Sequence, residues 1–276
     1  MINNKFDDNT IIEKVENNFN YSCKSIQKNQ MIKKSIYSKI YSGILDNNEL
    51  VCIKTINRQY LTLIEYNMFY NEIQINQMLK SYNHDNIINY KGYSCSKNYI
   101  DLIFELGNNT LDDLIMNNPL EIQNNFKKYI IEILTGLKFL HDKNIIHGDI
   151  KGDNILIINN KIKICDFGIS IINNNNNNKL LNHIGTHPYI APEVIKDLTI
   201  SCKSDMWAFG ALLYKIINNG YDIQFTIKNE NNIKKLINYC GEWNDLLEKC
   251  LKINPDERIS SEKALEYVRL KYEANI

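Results

Sequence analysis

The stretch that most constrains this chain is an apolar helix pattern that runs into a tight polar loop and leaves it as an apolar strand. Phe126, Ile130, Ile133, Leu134, Leu137 and Leu140 recur at helical spacing and lay one apolar stripe along a helix over 126–141. Ile145-Ile146 follow, then His147-Gly148-Asp149-Ile150-Lys151-Gly152-Asp153-Asn154, then Ile155-Leu156-Ile157-Ile158. A helix and a strand that both seek the core pin the loop by its two ends, and a loop held on rigid supports is where a chain places reactive groups. This one offers a carboxylate (Asp149), an ammonium (Lys151) and a side-chain amide (Asn154) within six residues. Phosphoryl transfer needs that mixture: a carboxylate to receive a hydroxyl proton, a cation near phosphate, and oxygen ligands for Mg2+.

The chain has 276 residues, enough for one large domain or a bilobal one. Its 32 basic and 32 acidic residues cancel, which gives no electrostatic footprint for nucleic acid or an anionic membrane, and neither is expected as a partner. The seven cysteines, at 23, 52, 95, 165, 202, 240 and 250, lack metal-binding or C-x-x-C spacing. They read as buried free thiols of a reducing compartment, and a cytoplasmic location is expected. Met1 to Thr10 is polar and acidic, unlike a secretory signal, and no apolar run reaches the ~18 residues of a membrane span.

Residues 1–30 are weakly patterned and read as an extension in which Thr10 and Glu13 could cap a short helix. One domain is expected over 31–276. Ile32 to Gly43, with Ile32, Ile36, Ile40 and Tyr41, is rich in strand formers, and the turn Asp46-Asn47-Asn48 leads it back into Leu50-Val51-Cys52-Ile53-Lys54 as a hairpin. Leu61 to Leu79 carries helical spacing through Met68, Ile75 and Leu79. Tyr99 to Phe104 alternates as a strand, and Thr110-Leu111-Asp112-Asp113 has the form of a capping box. Further helices are expected around 205–218, 233–239, 243–251 and 261–272. Asn173 to Asn178 is a low-complexity insert expected to be a loop.

Four more blocks stand in order after the polar loop: Lys163-Ile164-Cys165-Asp166-Phe167-Gly168, Gly185-Thr186-His187-Pro188-Tyr189-Ile190-Ala191-Pro192-Glu193, Ser204-Asp205-Met206-Trp207-Ala208-Phe209-Gly210, and Asn254-Pro255-Asp256-Glu257-Arg258-Ile259-Ser260. Together with His147–Asn154 and Val51-Cys52-Ile53-Lys54, they resemble the motif series of eukaryotic-type protein kinases. The likeness covers roughly residues 30 to 272. Lys151 and Thr186 resemble the Ser/Thr class, and Asp149-Ile150-Lys151-Gly152-Asp153-Asn154 is most similar to kinases related to MAP kinase kinase kinases.

The resemblance implies an α+β bilobal fold: an N-lobe over 31–107, including the hinge, built on a small antiparallel sheet, and a mainly helical C-lobe over 108–276. It implies ATP and Mg2+ as cofactors and proteins as substrates. Asp149 would orient the substrate hydroxyl and take its proton, and Lys151 would offset γ-phosphate charge. Asn154 and Asp166 would bind Mg2+. Lys54, oriented by Glu72, would hold the α and β phosphates. Ile32, Ile40, Cys52, Phe104, Glu105, Leu106, Gly107 and Leu156 would surround the adenine, with Phe104 as gatekeeper. Asp205 would brace the catalytic loop, and Arg258 would pair with Glu193.

The chain departs from the family in three places. The glycines of the phosphate loop are replaced by Lys33, Ser35 and Ser38, the apolar position four residues after Glu72 is Asn76, and the arginine before the catalytic aspartate is Gly148. The first implies a high KM for ATP. The third, with no Ser, Thr or Tyr over 171–185, implies activity without activation-segment phosphorylation. The same departures allow a rival reading, a pseudokinase that serves as a binding scaffold. The full set Lys54, Glu72, Asp149, Lys151, Asn154 and Asp166 speaks for the enzyme.

Overall fold

A computed structural model describes residues 26–35, 38–173, 185–223 and 230–272. Strands β1 (Ile26–Lys34), β2 (Ser38–Leu45) and β3 (Leu50–Asn57) form a meander, which β5 (Tyr99–Glu105) and β4 (Tyr90–Cys95) extend into an antiparallel sheet of order β1-β2-β3-β5-β4. Register sets what each face carries. Ile40 lies opposite Lys54, Lys54 opposite Leu102, and Cys52 opposite Phe104. Because side chains alternate along a strand, these residues share one face. Val51, Ile53 and Ile103 fill the other, with Ile26, Tyr41 and Leu45 packed on them.

Residues 32–43 are not one strand. The chain reverses at Ser35–Ser38: the Ser35 N–H donates to Ser38 O at 2.8 Å, the Ser38 N–H donates to Ser35 Oγ at 3.0 Å, and the two hydroxyls lie 2.9 Å apart. Seryl oxygens compete with neighbouring strands for backbone groups, and Ser35 and Ser38 spend theirs on each other. Ile36 falls outside the described residues, as do Cys23, the Thr10–Glu13 cap and Asn174–Asn178. The turn at Asp46-Asn47-Asn48 forms as expected. Asn48 takes φ 62° and Asn47 Oδ1 accepts the Glu49 N–H at 3.1 Å.

Helix α1 (Leu63–Lys80) opens on a reciprocal cap, with the Thr62 N–H donating to Glu65 Oε2 and the Glu65 N–H to Thr62 Oγ1. It buries Phe69, Glu72, Ile73, Ile75, Asn76 and Leu79.

The described residues divide into two compact units. One runs through Lys80 and includes Asn89–Leu106; the other comprises Ser81–Ile88 and the chain from Gly107 onward. The second unit contains α2 (Leu111–Asn117), α3 (Pro119–Asp142), α4 (Pro192–Asp197), α5 (Cys202–Ile217), α6 (Glu230–Ile237), α7 (Asn244–Cys250) and α8 (Ser261–Tyr272). It also holds the sheet β6-β8-β9 (Asn109–Thr110, Ile155–Ile158, Lys161–Ile164) and the pair β7 (Ile145–Ile146) with β10 (Ile171–Ile172). The Thr110 capping box is present, with Asp113 as the reciprocal partner.

Helix α3 begins seven residues before Phe126, because Asn118 caps it and Pro119 is preset for the first turn. Ile130, Ile133, Leu134, Leu137 and Leu140 are fully buried, against β9 and α8, while Phe126 is half-buried and meets Trp243 edge-on at 4.9 Å. The six described cysteines form no disulfide, but only Cys240 and Cys250 are buried; Cys52, Cys95, Cys165 and Cys202 are half-buried, a correction to the expectation of buried thiols. Among the described residues no helix is long and apolar enough to cross a membrane.

Candidate active site

In the first unit, β3 and α1 bring Lys54 and Glu72 together across 18 residues of sequence. The Lys54 ammonium donates to both carboxylate oxygens, at 2.8 and 3.0 Å. Glu72 is wholly buried, and Lys54 also lies 5.9 Å from the centre of the Phe69 ring. A buried carboxylate needs such a partner. Asn76, one turn further on, is buried too. Its amide nitrogen bonds Glu72 O at 2.8 Å, and its oxygen has no partner.

Ile40, Cys52 and Phe104 share the face of Lys54. Phe104 is buried with its ring 5.5 Å from that of Tyr90, and burial pushes the Cys52 thiol up to about 11, so it is a weak nucleophile at neutral pH. Ile32 is 55% exposed, where the register between β1 and β2 slips. The Glu105 carboxylate accepts the Asn89 N–H at 2.7 Å. Leu106 ends this unit.

Gly107 belongs to the second unit, where it lies so near Leu156 that a Cβ would sit 3.2 Å from Leu156 Cδ1. There β7 and β8 hold the loop His147–Asn154. His147 is buried: its Nδ1 accepts the Asp149 N–H at 3.2 Å, so its Nε2–H donates to Cys165 O at 3.0 Å. Its ring lies 5.2 Å from that of Phe167, and its carbonyl accepts the buried Ser170 hydroxyl at 2.8 Å. Asp205 accepts the N–H groups of His147 and Gly148, both at 2.8 Å. Gly148 takes φ +83°, and a Cβ there would lie 3.1 Å from Ile200 Cδ1 and 3.3 Å from Ile169 O.

Asp149 is held on one side only. Its Oδ2 accepts from Lys151 at 2.6 Å and from Asn154 Nδ2 at 2.9 Å, while its Oδ1 is buried without a partner. Lys151 also donates to Thr186 Oγ1 at 2.6 Å, which ties the loop to the segment 185–193. Asn154 Nδ2 donates to Asp149 O as well, which leaves the amide oxygen as the available end of the group. Asp166 is exposed at φ +67°, an uncommon conformation for a residue with a side chain. An amide oxygen and an exposed carboxylate fit Mg2+, a hard cation that takes one or two protein ligands and completes its shell with water and phosphate.

One cluster lies outside the expectations drawn from sequence. Lys215, buried on α5, donates to Asp112 Oδ2 at 3.0 Å and Tyr189 OH at 3.3 Å. Asp112 sits against Gly152, and burial raises its carboxyl despite the Lys215 bond. A lone lysine in the apolar run Ala211-Leu212-Leu213-Tyr214-Lys215-Ile216-Ile217 was the available signal.

A family model described as "Protein kinase domain" matches residues 26–268. MAP3K epsilon protein kinase 1 of Arabidopsis thaliana is 29% identical over 249 residues, covering 86% of this chain and 18% of that protein. A probable serine/threonine-protein kinase of Encephalitozoon cuniculi is 32% identical over 237 residues, covering 86% of this chain and 42% of that protein. Mitogen-activated protein kinase kinase kinase A of Dictyostelium discoideum is 29% identical over 264 residues, covering 87% and 27%. The chain thus spans less than half the length of these relatives.

Proposed function

This chain belongs to the protein kinase family, and we propose that it transfers the γ-phosphate of ATP to serine and threonine hydroxyls of protein substrates. The observation that carries the reading is the half-engaged Asp149 carboxylate. Lys151 and Asn154 fix one oxygen and leave the other, buried, with nothing to accept from. A native buried polar atom without a partner calls for an explanation, and a substrate hydroxyl supplies one. Asp149 orients that hydroxyl and takes its proton, and Lys151 offsets phosphate charge. Lys54, held by Glu72, binds the α and β phosphates. Asp166 and Asn154 would hold Mg2+, which when bound offsets phosphate charge. Ile32, Ile40, Cys52, Phe104, Glu105, Leu106, Gly107 and Leu156 are the positions we assign to the adenine. We assign the chain to a reducing, cytoplasmic setting, which fits six described cysteines that form no disulfide. Incubating the purified protein with radiolabelled ATP, Mg2+ and a generic protein substrate should yield phosphoserine or phosphothreonine. Absence of label would favour the scaffold.

Nucleotide affinity is expected to be low. The Ser35 and Ser38 N–H groups already have acceptors inside their own turn, whereas a glycine loop offers such groups to phosphate. Replacing Lys33, Ser35 and Ser38 together by glycine should lower KM for ATP or raise kcat. A loss of activity would show instead that these side chains touch the nucleotide.

Regulation follows the same logic. Gly148 has no charge to offer a phosphate, and 171–185 has no hydroxyl to carry one. Ser170 is 1% exposed and Thr186 is engaged by Lys151. Activity should therefore survive phosphatase treatment, with mass spectrometry confirming residues 168–193 unmodified. Inactivation on removal of a phosphate from that span would refute the point.

A further inference from the structure

Lys215 stands among the apolar residues of α5 and is 9% exposed. A buried ammonium is costly unless it is paired, so its partners decide where it is stable. They come from three other stretches of chain. Asp112 Oδ2, on α2, accepts from it at 3.0 Å, and the Tyr189 hydroxyl, on the segment 185–193, lies 3.3 Å away. Asp222 Oδ1, just beyond α5, lies 3.6 Å away, close enough for an ion pair. Tyr189 has one hydroxyl proton and donates it to Asp222 Oδ1 at 3.2 Å, so toward Lys215 it accepts. Burial, and then the carboxylates of Asp112, Asp222 and Asp153, raise the phenol and keep that proton in place. The ammonium therefore finds its full set of partners only when Tyr189 is seated between Lys215 and Asp222.

Tyr189 is tied in turn to the catalytic loop. Its N–H donates to Thr186 O at 2.9 Å, which closes residues 186–189 into a turn. Thr186 Oγ1 accepts from Lys151, which also donates to Asp149. One end of the turn is thus held by the loop and the other by α5, with no phosphate in either tie. Resting on the kinase reading and the phosphate independence proposed above, we propose that Lys215, Asp222 and the Tyr189 hydroxyl are positioning residues. They fix the segment 185–193 in the unphosphorylated chain, as a phosphate–arginine pair does in a switchable one. Without the hydroxyl, Lys215 keeps Asp112, so the buried charge stays paired, but the ring of residue 189 loses both polar anchors. The turn opens more often, and Thr186 no longer holds Lys151 beside Asp149. Lys54 and Glu72 are untouched. The expected signature is a lower kcat with an unchanged KM for ATP.

The test uses the full chain, with mass spectrometry confirming residues 168–193 unmodified. Backbone hydrogen exchange is read on a fragment spanning 186–191, and kcat with the generic protein substrate. Tyr189→Phe should speed exchange and lower kcat, each by about two- to tenfold, the equivalent of one hydrogen bond. Asp222→Ala should move both in the same direction, and Asp222→Asn, which keeps an acceptor, should restore both. A folded Tyr189→Phe with unchanged exchange or unchanged kcat overturns the proposal. Should Tyr189→Phe fail to fold, the same outcome in Asp222→Ala, at a half-exposed site, overturns it instead. An unaltered chain whose segment exchanges faster once phosphate is removed from 168–193 also overturns it. Faster exchange in the variants of a chain that never transfers phosphate upholds the anchor and overturns the kinase reading.

Discussion

Asp166→Asn is expected to abolish phosphoryl transfer, and Asp149→Asn to lower kcat by about 10^2 to 10^4, the span of a positioned general base. The two substitutions remove different things. Asp166 sits at φ +67°, a conformation asparagine adopts as readily as aspartate, so the exchange removes the anionic oxygen and spares the backbone. Asp149→Asn keeps one oxygen but removes the proton acceptor, in a place where Lys151 and Asn154 already claim the other side of the carboxylate. Both variants should melt close to the unaltered protein, so lost turnover cannot be blamed on unfolding. Near-normal kcat in either variant would refute the mechanism.

Glu193→Ala is expected to destabilise the fold severely. The Arg258 side chain is fully buried, and its guanidinium donates to both Glu193 oxygens, at 2.8 and 3.0 Å. It also bonds the carbonyls of Lys203 and Lys252 and stacks 5.2 Å from the Trp207 ring. Ser204 Oγ completes the Glu193 side at 3.0 Å. Removing the glutamate leaves an uncompensated buried cation, a loss of about 3–5 kcal/mol. For a domain whose total stability is about 5–15 kcal/mol that is a large fraction, and Tm should fall by on the order of 10 °C. Asp85→Asn, which breaks the exposed pair with Lys161, serves as the control and should leave Tm unchanged. Equal melting of the two variants would contradict the assignment.

Legibility in the sequence depended on whether a residue's partner lies in a local pattern or in a motif that the family resemblance supplies. The Thr110 cap follows from local spacing, whereas the Lys54–Glu72 pair, the Asp205 brace and the Arg258–Glu193 pair follow only from the resemblance. The turn at Ser35–Ser38 was hidden because strand propensity averages over neighbours, while two hydroxyls act at single atoms. The start of α3 was misplaced because its cap, Asn118, precedes the apolar stripe. His141 lies within hydrogen-bond reach of Asp205, 64 residues away, and of Ser261, 120 residues away, and nothing in any of the three local sequences announces the others. Asn76 was visible as an oddity, but its unpartnered oxygen appears only once the helix is packed.

The glycine at 148 makes regulation by phosphate a matter of history rather than of one mutation. An arginine installed there would meet a left-handed backbone costing about 1–2 kcal/mol, and its Cβ would press on Ile200 and Ile169. That penalty would be offset only once a phosphorylated hydroxyl also appeared in 171–185, where none now exists. Each step alone gains nothing, so under the proposed independence from activation-segment phosphate the two absences reinforce each other. Moving toward a switchable enzyme requires both changes together.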